Sequence, residues 1–329
     1  VKPNIVIFGT GKFAEHALEE IDKSSIFAFI DNSVDKIGTE FHGKKVYSLN
    51  SLNELVKLHE YKIYIASTYY NDISTQLKAY ELIEDIHFED VAKLLSINKV
   101  REIYNVDADI EDEFISIYIK TKRYTLTSIE RMYALYQSVK YIVLNDIPGA
   151  FVECGVWRGG SAMVIAETLS HLKCYTYDLY LYDTFEGMTE PEDVDVNLVG
   201  ELAHQKWSES QKGAINTWCY ASLEDVKENL LKTNYPLNKV KFIKGKVEDT
   251  IPDTIPSEIA LLRLDTDWYS STYHEMKYLY PLLVQRGILI VDDYGHWLGS
   301  AKAVNEYLCE EKINLLLNKI DYSGRLAIK

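Results

Sequence analysis

Cysteine is scarce in this chain: four residues in 329, Cys154, Cys174, Cys219 and Cys309. None belongs to a CxxC pair, so the spacing offers neither a zinc site nor a disulfide framework. Basic charge is short as well. Thirty-five Lys and Arg stand against 50 Asp and Glu, a net charge of −15, which argues against nonspecific nucleic-acid binding and against docking on an anionic membrane. No apolar run exceeds strand length, so none is long enough to span a bilayer. No charged n-region, apolar stretch and cleavage site precede the first strand, and no repeat or low-complexity tract is present. What remains is ordinary globular composition, 47% hydrophobic and 26% charged, with length for two cored domains. The expectation is a cytoplasmic protein that handles small molecules.

The chain is organised around residues 259–297, IALLRLDTDWYSSTYHEMKYLYPLLVQRGILIVDDYGHW. Ile259–Leu264 and Gly287–Val291 read as buried strands, and Ser271–Gln285 as the helix between them. Such a unit sets its strands parallel, with their carboxyl ends on one edge. Each strand ends in a pair of acids, Asp265 and Asp267, then Asp292 and Asp293. Four carboxylates on one edge repel one another unless a cation sits among them. Mg²⁺ or Mn²⁺ suits such an all-oxygen site. A single strand-end Asp is ordinarily just solvated; the doubled pair points to a functional site, because open α/β sheets bind ligands at that edge.

Residues 1–96 read as a small α/β domain. Residues 3–11 form a strand entering a glycine turn, Gly9-Thr-Gly11-Lys-Phe-Ala14, and Lys12–Ile21 continues as a helix. Ile26–Ile30 is the next strand, ending in Asp31, twenty residues beyond Gly11. That is where dinucleotide folds place the acid that holds a ribose. Nucleotide or nucleotide-sugar binding is one expectation; a turn that only packs helix on strand is the other. The segment resembles small Rossmann-like domains fused to sugar-modifying enzymes.

Residues 97–127 read as a helical connection, acid-rich at 106–113. Thr127-Ser-Ile-Glu130 matches a capping box for a long helix that stops before Asp146-Ile-Pro148-Gly149. Residues 128–329 then form a second α/β domain. Its first strand, Ala150–Cys154, runs into the turn Glu153-Cys-Gly155-Val-Trp-Arg-Gly159-Gly160-Ser161 and a helix. No Lys-Ser/Thr pair follows these glycines, which excludes a P-loop. Asp183 ends the next strand, and Gly245-Lys-Val-Glu248 follows the third. Residues 189–217 lack a clean period and read as an excursion over the site. Ile313–Ile320 and Gly324–Ile328 read as closing antiparallel strands.

The ordered segments FVECGVWRGGSA, YLYDTFEGM, KGKVEDTIP, LLRLDTDWYSST and ILIVDDYG resemble the macrocin O-methyltransferase family across roughly residues 125–310. The resemblance implies a Rossmann-like class I methyltransferase domain, mostly parallel with antiparallel closing strands, preceded by a smaller Rossmann-like α/β domain. It implies methyl transfer from S-adenosylmethionine to a hydroxyl of a sugar or glycosylated small molecule, assisted by a divalent metal. The cofactor would meet Glu153, Gly155, Gly159, Gly160, Ser161, Asp183, Thr184, Phe185, Gly245, Val247 and Glu248. Asp265, Asp292 and Asp293 would hold the metal, and Asp267 would be the general base or a carboxylate that only orients a ligand. His296 is the alternative base, or a hydrogen-bonded wall of the site. Trp157, Trp268 and Trp297 would line a sugar-stacking surface or pack in the core. The competing readings are an NAD(P)-linked oxidoreductase working through Gly9–Ala14 and Asp31, and a nucleotide-sugar-binding protein. Homo-oligomerisation is compatible with each.

Overall fold

The computed structural model describes residues 5–213 and 215–329; residues 3 and 4 of the expected first strand, and residue 214 of the excursion, lie outside them. The chain divides into two compact units, one reaching Ile119 and the other Lys120–Lys329.

The first unit runs β1 (Ile5–Phe8), α1 (Lys12–Glu20), β2 (Ile26–Ile30), β3 (Glu40–Phe41), β4 (Lys44–Tyr47), α2 (Leu49–Leu55), β5 (Lys62–Ile65), α3 (Tyr70–Lys78), β6 (Phe88–Asp90) and α4 (Ile97–Tyr104). A further helix, α5 (Asp112–Thr121), crosses the division. The expected start at Phe114 is two residues late, because Asp112 and Glu113 sit favourably at the positive end of the helix dipole. The sheet order is β3-β4-β2-β1-β5-β6, parallel except for the β3–β4 pair. Its apolar strands pack against Leu52, Ile73 and Leu77 of the helices.

The second unit runs α6 (Ile129–Leu144), β7 (Ala150–Cys154), α7 (Gly160–His171), β8 (Leu179–Asp183), α8 (Ala203–Glu209), β9 (Gln211–Lys212), β10 (Ile215–Asn216), α9 (Leu223–Leu231), β11 (Val240–Lys244), α10 (Val247–Thr250), β12 (Ile259–Leu264), α11 (Tyr269–Leu279), β13 (Leu283–Val291), α12 (Leu298–Glu310), β14 (Asn318–Lys319) and β15 (Arg325–Ile328). Seven strands order as β11-β8-β7-β12-β13-β15-β14. The first five are parallel and β15 and β14 are antiparallel, the mixed sheet the sequence implies. Strand β12 is buried along its whole length, at the middle of the core.

Three boundaries differ from expectation for local reasons. Helix α11 ends at Leu279 rather than Gln285, and β13 starts at Leu283, because Pro281 cannot donate in a continuing helix. The cap of α6 is Ser128, whose hydroxyl accepts from Arg131 N, and not Thr127. The expected strand 313–320 shrinks to the two residues of β14. Among the described residues no helix is long and apolar enough to cross a membrane.

The excursion is tied down by a carboxylate. Asp195, 0% exposed, accepts from the backbone N–H of Tyr269 at 2.8 Å and of Glu192 at 2.8 Å. It thereby caps α11, whose own N-cap residue Trp268 supplies no side-chain cap. Asp195→Ala is expected to lower stability by about 1–2 kcal/mol, the usual worth of an N-cap. All five tryptophans lie in the second unit, so tryptophan fluorescence in urea reads this loss there alone. An unchanged midpoint would show that the cap contributes nothing.

Candidate active site

Strands β7, β12 and β13 end level. Leu264 pairs with Cys154 on one side and Val291 on the other. Beyond them Asp265 N donates to Cys154 O at 2.8 Å, and Asp292 N to Leu264 O at 2.9 Å. Strand order reverses between β7 and β12, which is where open α/β sheets bind ligands. A cavity of about 300 Å³ opens there.

Its floor is held by a buried arginine. Arg263, 2% exposed, donates to Glu153 Oε1 at 2.7 Å, Asp265 Oδ2 at 2.6 Å, Asp292 Oδ1 at 2.6 Å and Thr127 Oγ1 at 3.2 Å. The register explains this: Arg263 stands opposite Glu153, and alternation puts Asp265 on the same face. Arg131 of α6 takes the other Asp292 oxygen and reaches Asp321 Oδ2 at 3.0 Å. Both oxygens of Asp292 are therefore engaged by guanidinium groups.

Asp265, Asp267 and Asp293 are the acids whose oxygens gather, all within 4.8 Å of one another. Asp293 shares hydrogen bonds with the other two, and Trp297 donates to Asp267. Burial, and then the neighbouring carboxylates, push Asp265 and Asp293 well above the usual range, against the pull of Arg263 on Asp265. Burial pushes Asp267 up to about 7. Crowded, half-buried carboxylates of this kind resist ionisation, and a cation among them relieves that. The donor set is all oxygen, as Mg²⁺ and Mn²⁺ favour, so these residues fit a divalent cation. The grouping differs from the sequence expectation in one position: Asp267 joins Asp265 and Asp293, while Asp292 faces the arginines.

At the glycine turn Asp183 does much of the holding. Its Oδ2 accepts from Val156 N at 2.7 Å and Trp157 N at 3.0 Å, and its Oδ1 from Phe185 N at 2.7 Å. Trp157 and Phe185 both carry the left-handed φ that bulky residues avoid, at 47° and 52°, and these bonds keep them there. Burial raises the Asp183 pKa despite the three N–H donors.

Gly155, Ser161, Asp183, Thr184, Gly245, Val247, Glu248, the four acids and His296 all line the cavity. Glu153, Gly159, Gly160 and Phe185 stand behind it. A Cβ on Gly155 would meet Asp265 O at 2.0 Å, and one on Gly160 the backbone of Tyr124 at 2.6 Å. A Cβ on Gly159 would come within 3.0 Å of Leu230. These glycines let chain approach chain, where the sequence suggested approach to ligand. Glu153 Oε2 is buried and finds no donor among the described residues, and burial raises this acid to about 7. An unanswered acceptor at the start of the turn fits the ammonium group of S-adenosylmethionine.

The opposite wall is aromatic. Trp268 and Trp297 are buried, with ring centroids 5.0 Å apart, and Trp218 packs 5.6 Å from Trp268. Lys206 lies 4.1 Å over the Trp218 ring. His296 Nδ1 sits 3.5 Å from the Tyr322 hydroxyl; burial, then Arg131 and Lys206, lower its pKa. Sequence reasoning missed Arg263, Arg131, Lys206, Trp218 and Tyr322. For Arg263 a signal existed, since a lone arginine inside an apolar strand needs buried partners.

The mixed sheet and its order are those of a class I, Rossmann-like methyltransferase fold. The sequence matches the family described as Macrocin-O-methyltransferase (TylF) over residues 62–327, and the chain belongs to that family of O-methyltransferases. Residues 1–86 match a second description, C2185-like, N-terminal. Among relatives, the demethyldecarbamoylnovobiocin O-methyltransferase of Streptomyces niveus is 31% identical, over 61% of this chain and 74% of its own length. The 8-demethyl-8-(2,3-dimethoxy-alpha-L-rhamnosyl)-tetracenomycin-C 4'-O-methyltransferase of Streptomyces olivaceus is 28% identical, over 68% and 82%. The solved structure of the O-methyltransferase NovP aligns with a TM-score of 0.54 and 29% identity, covering 63% of this chain and 82% of that one.

Removing the guanidinium should cost more than removing any one of its partners. Arg263→Met leaves Glu153, Asp265 and Asp292, two of them buried, without their shared countercharge, and is expected to destabilise the second unit by about 3–5 kcal/mol. Urea unfolding followed by tryptophan fluorescence measures it. A midpoint equal to that of the unsubstituted chain would refute the central role of Arg263.

Proposed function

We propose that this enzyme methylates a sugar hydroxyl on a glycosylated small molecule, with a divalent cation held by Asp265, Asp267 and Asp293. The observation that carries the reading is the clustering of those three carboxylates beside the cofactor cavity. The sugar assignment rests on the relatives, one of which is named for a rhamnosyl-bearing substrate.

When bound, S-adenosylmethionine supplies an electrophilic methyl group, and a divalent cation lowers the pKa of the hydroxyl that receives it. The chain does the rest. Glu153 Oε2, buried without a donor among the described residues, would accept from the cofactor's amino group, and Asp183 with its three N–H donors fixes the turn beside it. Trp218 and Trp297, backed by the buried Trp268, form an apolar wall that would keep water from the reacting oxygen. Asp267 would take the acceptor's hydroxyl proton through an oxygen that does not face the cation. A second reading gives that proton to His296, because Asp267 falls within the cation-binding cluster while His296 lines the same cavity with its imidazole kept neutral.

S-adenosylhomocysteine formation, measured with a panel of deoxysugar glycosides and nucleotide sugars, tests the acceptor. Activity is expected to vanish in EDTA and to return with Mg²⁺ or Mn²⁺; turnover that survives thorough chelation would remove the metal from the proposal. At saturating Mn²⁺, loss of the general base should lower kcat by about 10²–10⁴. Asp267→Asn showing that loss while His296→Gln stays within a few-fold identifies Asp267; the reverse pattern identifies His296. Calorimetry of Mn²⁺ binding to Asp267→Asn shows separately whether this carboxylate is a ligand.

A further inference from the structure

The first unit carries a ligand cavity of its own. At the carboxyl ends of β1 and β5, where its strand order reverses, about 590 Å³ opens between the Gly9–Lys12 turn, the Asp31–Ser33 loop and Ser67–Asp72. This volume falls in the range of small-molecule sites, about 300–1,000 Å³, and it lies where open α/β sheets bind ligands.

The cavity wall is fixed by the same device that frames the cofactor site. Asp31, at the end of the second strand, accepts from Thr10 N at 3.0 Å, from the Thr10 hydroxyl at 2.5 Å and from Ser33 N at 2.9 Å. Asp183 holds Val156 and Trp157 in the same way. Gly9, at φ 120°, brings the two strand ends together; a Cβ there would meet Ala66 O at 2.4 Å. Gly11 is different. Nothing lies within 4 Å of a Cβ built on it and its φ is −96°, so this glycine leaves open space at the mouth of the turn.

The lining is that of a phosphate site with room beyond it. Helices α1 and α3 both begin at the cavity wall and neither has a side-chain cap, so their first-turn N–H groups face it uncovered by their own caps. Lys12 and Lys36 add positive charge at the rim; Lys36 Nζ is 3.5 Å from Asp31 Oδ2 with its side chain 40% exposed. Ser33, Ser67 and Thr68 supply hydroxyls, and Asn32 and Gln76 supply amides that both donate and accept.

We propose that this cavity binds a nucleoside diphosphate group, its phosphates at the Gly9–Lys12 turn and its nucleoside toward Asn32 and Gln76. The proposal does not depend on the methyl-transfer reading. A dinucleotide fits less well. Asp31, the acid that would grip a ribose in a dinucleotide fold, already spends its oxygens on Thr10, Ser33 and Lys36. Beyond the switch point only β5, α3 and β6 remain, where dinucleotide folds have a complete second half.

Calorimetry on the full chain tests this with UDP, ADP, GDP and dTDP, each also as a sugar conjugate, against pyrophosphate and NAD. At least one nucleoside diphosphate is expected to bind one-to-one in the micromolar range. Gly11→Leu should weaken it at least tenfold while the circular-dichroism spectrum and its thermal transitions stay unchanged, which shows the variant is folded, and while S-adenosylhomocysteine affinity stays unchanged, which separates the two sites. Lys12→Ala should give a smaller, salt-sensitive loss. Tighter binding of the sugar conjugate, or of the free diphosphate, tells which form is held, and either supports the site. The proposal is overturned if no nucleoside diphosphate binds at millimolar concentration, if pyrophosphate or NAD binds more tightly than all of them, or if Gly11→Leu binds them unchanged.

Discussion

A guanidinium buried in the middle of a parallel sheet has to be answered by carboxylates, and the active-site edge is built on that constraint. Arg263 draws Glu153, Asp265 and Asp292 to one point from three neighbouring strands. With Arg131 between Asp292 and Asp321, two guanidiniums face six acids: Glu153, Asp265, Asp267, Asp292, Asp293 and Asp321. The acids outnumber the guanidiniums, and the excess collects at Asp265, Asp267 and Asp293. Removing a countercharge from such a cluster strands several buried charges at once, so stability and chemistry are tied to the same residue.

The two units solve a shared problem alike. Each ends its first strand in a glycine turn and its second in an aspartate that receives the turn's N–H groups. In both, at least one glycine exists because another backbone lies where its Cβ would be, Ala66 in the first unit and Asp265 in the second. The acid after the second strand is thus first a clamp for the turn. Any ligand meets a surface already held in shape, which lowers the cost of ordering on binding.

The excursion between β8 and α9 looks like a loop in the sequence and acts as structure. Asp195 caps a helix 74 residues further on, and Leu298 N donates to Val196 O at 2.9 Å at the start of α12. Trp218 and Lys206 of this segment then complete the aromatic wall. The segment without a clean period in the sequence is the one that shapes this wall of the cavity.

Much was legible without coordinates. The apolar runs at 150–154, 179–182 and 259–264 could only be strands, the turns after them carried glycine and acid in the right order, and the motifs named the methyltransferase family. Those features are local: burial and backbone conformation leave a periodic or single-residue trace in the chain. Side-chain pairing leaves none. That Asp292 turns to Arg131 and Arg263 while Asp267 joins Asp265 and Asp293, that Thr127 serves Arg263 while Ser128 caps the helix, and that Gly155 makes room for a neighbouring strand all depend on strand register and on which face each residue takes. The sequence determined the main parallel strands, their order along the chain and the acids at the sheet edge; only the tertiary structure decided which acid answers which charge, because that is set by distances between strands far apart in the chain.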